Sequence, residues 1–338
     1  MSEPRLSSLA PGEVPLSRLR PILDRRLVIV TGKGGTGKTS VVAALALAAA
    51  GRGLRVAVVE TGRDEHVPRL ISPGTEPVGH AGRDLRPGLR VMRVEPYEAL
   101  AEYLHLQLGF GPVVSRVLRN RSFRQLMDAA PGWRELITLG KVWHLQQGTD
   151  GPGGDPTYDL LLVDAPATGH GLTFLDVPRV VVSAVRAGPL RRHAGWVESM
   201  VKDADHTLLL PVALGEELPA RETAELVERV RDGMGVPIDR VVVNAVVERP
   251  FPSGVDDLDV RLRRARIPDG AAGLPSAGVL ADCAAYLRSR WELNRAYVER
   301  IGEWTGLPTV CLPLLPGGVH GPDELAVLAA RLAGGESS

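Results

Sequence analysis

Gly32-Lys33-Gly34-Gly35-Thr36-Gly37-Lys38-Thr39 is the stretch from which the rest of the chain is read. It fits the pattern G-x-x-x-x-G-K-[ST], and each residue type in that pattern has a physical task. The glycines let the backbone wrap a polyphosphate with its N–H groups turned inward, where side chains would obstruct. Lys38 reaches β- and γ-phosphates, and the Thr39 hydroxyl is a hard oxygen ligand for Mg2+. Lys33, directly after the first glycine, is an addition to the general pattern. The flanks agree with this reading. Leu27-Val28-Ile29-Val30 is a short apolar, β-branched run of the kind found in buried parallel strands. Ser40 to Ala50 is rich in Ala, Leu and Val and lacks Gly and Pro, so it predicts a buried helix whose N-terminal dipole faces the phosphates, with Gly51 and Gly53 ending it. Leu54 to Val59 is the next strand, which completes a βαβ unit.

Further strands are expected at Arg90–Val94, Leu160–Val163, Thr207–Val212, Val241–Val243 and Thr309–Leu314, with helices between them. The alternation predicts an α/β fold: a mostly parallel twisted sheet flanked by helices. Two stretches break the rhythm. Pro96 to Gln147 is helical in spacing throughout, with a helix start at Pro131, and Phe174 to Met200 adds a second apolar block. They predict a helical subdomain (96–150 and 174–205) inserted in a P-loop core (25–95, 157–173 and 206–333). Residues 1–24 read as an N-terminal arm, 151–156 as a return loop, 256–266 as a solvated helix and 334–338 as a disordered tail.

The 338 residues carry 40 Lys and Arg against 40 Asp and Glu, so no overall charge draws the chain to nucleic acid or to an anionic membrane. Cys283 and Cys311 are its two cysteines and form no CxxC pair, which argues against a zinc or iron–sulfur site and against a disulfide framework. The first residues lack the apolar segment of a signal peptide, and no apolar run is long enough to span a bilayer. A cytoplasmic location is expected.

Nucleotide hydrolysis needs a second half: a carboxylate at the end of a neighbouring strand that positions magnesium. Asp164 closes the apolar strand Leu160–Val163, at the sheet edge where such folds meet ligand. Gly169 is expected to give the following loop freedom to move as a switch.

The loop with its extra lysine resembles the deviant Walker A loop shared by MinD, ParA, the nitrogenase iron protein, ArsA and Get3. The segments DAPATGHGLTFL (164–175), EELPARET (216–223), VVVNAVV (241–247) and LPLLPGGVHGPDEL (312–325) narrow the resemblance to the ArsA/Get3-like family. With APGWRELITLGKVWHL (130–145), the pattern is most similar to actinobacterial members, some of which work as paired paralogues. The resemblance runs from Leu27 to Leu332. It implies an ATP- and Mg2+-dependent ATPase acting as a dimer, with itself or with a paralogue. It implies ATP or ADP in the loop Gly34–Ser40 (Gly34, Gly35, Thr36, Gly37, Lys38, Thr39, Ser40) and adenine near Asn244, Leu315, Pro316 and Gly317. Mg2+ is implied at Thr39 and, through water, at Asp164. Lys33 is implied to reach across the dimer to the partner's nucleotide.

The chain departs from the family at switch I. Gly62 stands where the family has the Asp that orients the attacking water. Glu60 or Asp64 substitutes for it, hydrolysis is slow, or a partner subunit carries it. The zinc-binding CxxC of Get3, the grouped cysteines of ArsA and the amphipathic membrane anchor of MinD have no counterpart, so metalloid export and stable membrane anchoring do not carry over. Three functions follow as expectations. The first is a nucleotide-driven dimeric switch that holds a hydrophobic protein segment or other apolar client on its helices. The second is a low-turnover nucleotide sensor paired with a catalytic paralogue. The third is a ParA-like partitioning ATPase, which the neutral charge and the 164–175 segment disfavour.

Overall fold

The computed structural model describes residues 20–108, 116, 118–130, 132–148, 157–252, 255, 257–265 and 275–334. Pro131 and the return loop 151–156 lie outside them, as do most of the arm and of the tail.

The strands are β1 (Leu27–Gly32), β2 (Val56–Glu60), β3 (Arg83–Arg86), β4 (Leu89–Arg93), β5 (Leu160–Ala167), β6 (Thr207–Leu214), β7 (Val241–Val246) and β8 (Thr309–Pro313). They form an eight-stranded sheet in the order β3-β4-β2-β5-β1-β6-β7-β8. All neighbours pair in parallel except β3 and β4, which are antiparallel. The mixed α/β class with a mostly parallel sheet is therefore as the sequence predicts.

Side-chain alternation explains why the strands read as unbroken apolar runs. In β1, Val28 and Val30 enter one core, while Leu27 and Ile29 enter the other. β5 repeats this, with Leu160 and Leu162 on one face and Leu161 and Val163 on the opposite one. Both faces are covered, so both sets must be apolar. Each fully buried Val, Leu or Ile contributes about 1.5–3 kcal/mol relative to exposure.

One face is covered by α1 (Lys38–Gly51), the short α2 (Val67–Ile71) and α11 (Pro322–Gly334). The other face meets α3 (Pro96–Leu108), α5 (Trp133–Gln147), α6 (Thr168–Ala184), α7 (Pro189–Lys202), α8 (Glu217–Gly233) and the 29-residue α10 (Ala277–Thr305). α4 (Arg121–Ala129) and α9 (Leu258–Arg264) are shorter. Leu139, Val142, Phe174 and Val197 join the same core as Leu27 and Ile29, so the helical stretches of the sequence pack directly on the sheet.

Two local expectations differ from the structure, and a third gains detail. β3 was not expected, because its sequence, Arg-Asp-Leu-Arg, is mostly exposed and carries no apolar alternation; it is an edge strand held by pairing to β4. Gly169 does not sit in a loop, since β5 ends at Ala167 and α6 starts at Thr168. The apolar block at 174–200 is two helices, separated at residues 185–188 by an extended Val185 and by Gly188 at φ 112°.

Candidate functional site

The carboxyl ends of β1, β2, β5, β6 and β7 meet around the loop that joins β1 to α1. Glycine is required in that loop by geometry. Gly35 and Gly37 each have φ 86°, and Gly37 is the left-handed N-cap residue of α1. A Cβ on Gly37 would stand 2.1 Å from Asn244 Nδ2, and one on Gly32 would stand 2.2 Å from the Val212 carbonyl oxygen. Neither position has room for a side chain.

The loop is fastened by its own residues. Thr36 Oγ1 donates to the Lys33 carbonyl at 2.9 Å, and Lys38 Nζ donates to the same carbonyl at 3.0 Å. Asn244 Nδ2, at the end of β7, donates to the Thr36 carbonyl at 2.9 Å. Burial lowers the Lys38 ammonium pKa, and nearby Asp164 opposes the shift.

Thr39 Oγ1 donates to Asp164 Oδ2 at 2.7 Å. The two residues, 125 positions apart in sequence, are thus in contact, because β1 and β5 are adjacent and their carboxyl ends coincide. Burial raises the Asp164 pKa, while the Thr39 hydroxyl and the Lys38 charge pull it back. A hydroxyl and a carboxylate oxygen at this spacing, beside backbone N–H groups and an ammonium, suit Mg2+ with a polyphosphate. Among the described residues no group of three or more His, Cys, Asp and Glu side chains is placed to hold a metal by itself.

Glu60 lies directly across from Asp164 in the β2–β5 pairing and is 2 % exposed. Its Oε1 accepts from the backbone N–H groups of His66 at 2.8 Å and Val67 at 2.9 Å, so it caps the start of α2. Its Oε2 is buried with no hydrogen-bond partner, as is Thr31 Oγ1 at the end of β1. Burial pushes the Glu60 carboxyl up to about 7; the two backbone hydrogen bonds oppose this, and Asp164 and Glu65 add to it. Asp64 is exposed, as is Gly62. A Cβ on Gly62 would meet only the Asp64 backbone, at 3.6 Å, so a side chain there fits.

Lys33 has a partner that the sequence reading missed. Its Nζ forms an ion pair with Glu222 Oε1 of α8 at 2.5 Å, with both side chains about one-third exposed (34 % and 30 %). Glu222 lies in the segment 216–223 that carries part of the family resemblance, and that was its one available signal. Thr61 was also missed; its Oγ1 donates to the Asp164 carbonyl at 2.7 Å and fastens the start of the 61–66 loop. Leu315, half-buried, and exposed Pro316 and Gly317 follow β8, the strand beside β7 and Asn244.

Comparisons with known proteins show the family of the chain. The family model described as anion-transporting ATPase matches residues 25–193. The chain is 31 % identical to the ATPase BagA of Mycobacterium tuberculosis, covering 75 % of this chain and 74 % of that one. It is 22 % identical to the ATPase GET3 of Lachancea thermotolerans, over 93 % of this chain and 91 % of the relative. It is also 22 % identical to a putative arsenical pump-driving ATPase of Halobacterium salinarum, over 94 % of this chain and 46 % of the relative. A phosphate loop with a second lysine, its Thr39–Asp164 contact and these matches together identify the chain as a member of the ArsA-type, anion-transporting ATPase family of P-loop ATPases.

Proposed function

We propose that this ATPase works as a nucleotide-driven dimeric switch in the cytoplasm, alternating between a free and a clamped state. The observation that carries the reading is the Lys33–Glu222 pair. An ammonium held at the surface by one partly exposed carboxylate is easily exchanged, because exposed pairs of this kind are worth only about 0–1 kcal/mol. Lys33 is thereby available to a second subunit's phosphates, as the resemblance implies. The second subunit is another copy or a paralogue.

Within one subunit, the backbone N–H groups from Gly34 to Ser40 hold the phosphates and Lys38 neutralises their outer charge. Thr39 and, through water, Asp164 would hold Mg2+, which supplies charge neutralisation at the phosphates when bound. Asn244 keeps its Oδ1 for an adenine amino group, with Leu315, Pro316 and Gly317 beside the base. Exposed apolar side chains on the helical layer outside α3, α5 and α7, Val180 and Leu218 among them, support its handling of a hydrophobic client.

The test is sedimentation of the purified chain with Mg2+ and ATP, alone and with its paralogue. Nucleotide-dependent dimerisation that Lys33→Ala abolishes, with ADP binding intact, is the expected result. A monomer in every nucleotide state and partner mixture overturns the reading.

A second reading is favoured by one observation: Gly62 offers no carboxylate and Glu60 is engaged at the start of α2. The chain is then a nucleotide sensor with little turnover of its own. Single-turnover ATP hydrolysis separates the two, since turnover by the chain alone excludes a pure sensor.

A further inference from the structure

Away from the phosphate loop, α3, α5 and α7 enclose a cavity of about 310 Å³. Its walls are largely apolar and aromatic. The rings of Trp143 and Trp196 stack at 5.0 Å and 9°. His193 packs edge-on to Tyr103, Trp143 and Trp196, and Tyr103 Oη lies 3.0 Å from His193 Nδ1. Burial lowers the pKa of both His144 and His193, helped by Lys141 at the first and by Arg192 at the second.

Size decides what kind of occupant fits. Two turns of an α-helix fill a cylinder on the order of 900 Å³, by the usual diameter and pitch. The cavity holds a third of that, and so is too small to enclose a helical protein segment. At water's share of ~30 Å³ per non-hydrogen atom, it has room for about ten such atoms, and for somewhat more when close-packed. This is the scale of a small-molecule site.

Charge decides the rest. The Glu102 carboxylate on the cavity wall is committed to Lys141 at 2.6 Å and to His80 at 3.1 Å, so the Lys141–Glu102 pair cancels. Arg192 sits at the rim, its guanidinium 5.7 Å from the Trp196 ring centre, and forms no ion pair among the described residues. His144 also lines the cavity, and its ring forms no hydrogen bond among the described residues. The result is an aromatic bowl with one uncompensated cation at its mouth and two imidazoles on its wall.

We infer that this cavity is a binding site for a small aromatic carboxylate, with the ring against Trp143 and Trp196 and the carboxylate at Arg192. The site is separate from the nucleotide site and does not depend on the proposed dimer. An arginine above an aromatic face suits a planar anion, because the guanidinium can stack and donate to a carboxylate at once.

The test is titration calorimetry of the full chain with 2-naphthoate and with its uncharged isostere 2-naphthamide. One naphthoate should bind per chain, and the amide should bind at least tenfold more weakly. Arg192→Gln, a substitution at an exposed position, should bring naphthoate down to the amide's affinity. Trp196→Ala should weaken both ligands together. No binding of naphthoate at millimolar concentration overturns the inference. So does equal affinity for acid and amide, which would leave a purely apolar cavity. Naphthoate binding unchanged in both variants also overturns it, because the probe would then sit elsewhere.

Discussion

The phosphate loop and the aromatic cavity are built by opposite means. The loop is eight consecutive residues whose conformation leaves no freedom: a Cβ at Gly37 would meet Asn244 at 2.1 Å, and its carbonyls are held by Thr36, Lys38 and Asn244. The cavity gathers residues from 99 to 197 on separate helices and leaves Trp196 37 % exposed and Leu190 44 % exposed. Backbone geometry specifies the first, so a side chain at Gly32 or Gly37 destroys it. Packing of side chains specifies the second, so changes there are graded.

The largest expected effect breaks the two regions apart. Lys38→Ala should lower single-turnover ATP hydrolysis by about 10²–10³-fold, the usual consequence of removing a group that stabilises transition-state charge. It should leave naphthoate binding unchanged, whereas Trp196→Ala should do the reverse. Loss of both functions in Lys38→Ala would show that the regions form one site.

That contrast also accounts for what could be read in the sequence. Thr39 and Asp164 were legible because a strand, a phosphate loop and a helix are local, and a carboxylate closing another apolar strand is local too. Their 2.7 Å contact needs only that the two strands be neighbours. Glu222 was not legible as the partner of Lys33, because the pair spans 189 positions and depends on how α8 lies against the loop. The commitment of Glu60 to the start of α2 was hidden for a similar reason: α2 is five residues long, too short to show a period. Trp143, His193 and Trp196 could each be assigned to helices, but only packing brings their rings together.

Next in size is the core that joins the two regions. Leu139 of α5 is fully buried in the cluster shared with the sheet. Leu139→Ala should lower unfolding free energy by about 2–5 kcal/mol, measured by urea denaturation. Because α5 also lines the cavity, naphthoate affinity should fall in this variant more than ATP affinity. Equal losses would mean that the helical layer and the loop respond as one unit.

Gly62→Asp sharpens the question of turnover. The backbone has space for the side chain, with only the Asp64 carbonyl near, at 3.6 Å. A carboxylate here should raise single-turnover hydrolysis by about tenfold if water orientation limits the rate, since positioning alone carries factors of this size. An unchanged rate would shift the limitation to the partner subunit.

The smallest expected effect is a pH slope, and it belongs to Glu60. Its folded carboxyl is pushed up to about 7 from an ordinary 4.5, with burial as the largest cause. A group whose folded pKa is raised favours folding while it is protonated. That contribution is complete below about 4.5 and is lost as pH rises through about 7. Stability should therefore decline between these limits, and Glu60→Gln should flatten the decline, since Gln cannot ionise. The Gln side chain retains an oxygen for the His66 and Val67 N–H groups, while its amino group would be buried at the position where Oε2 now lacks a partner. That adds an offset common to every pH and leaves the slope as the readout. Asp164, raised by the same burial, contributes to the slope as well, so the variant should remove part of it and not the whole. Urea midpoints at pH 5 and pH 7.5 for both proteins measure the difference. Identical slopes would mean that Glu60 is ionised throughout, held by the start of α2 more strongly than burial opposes it.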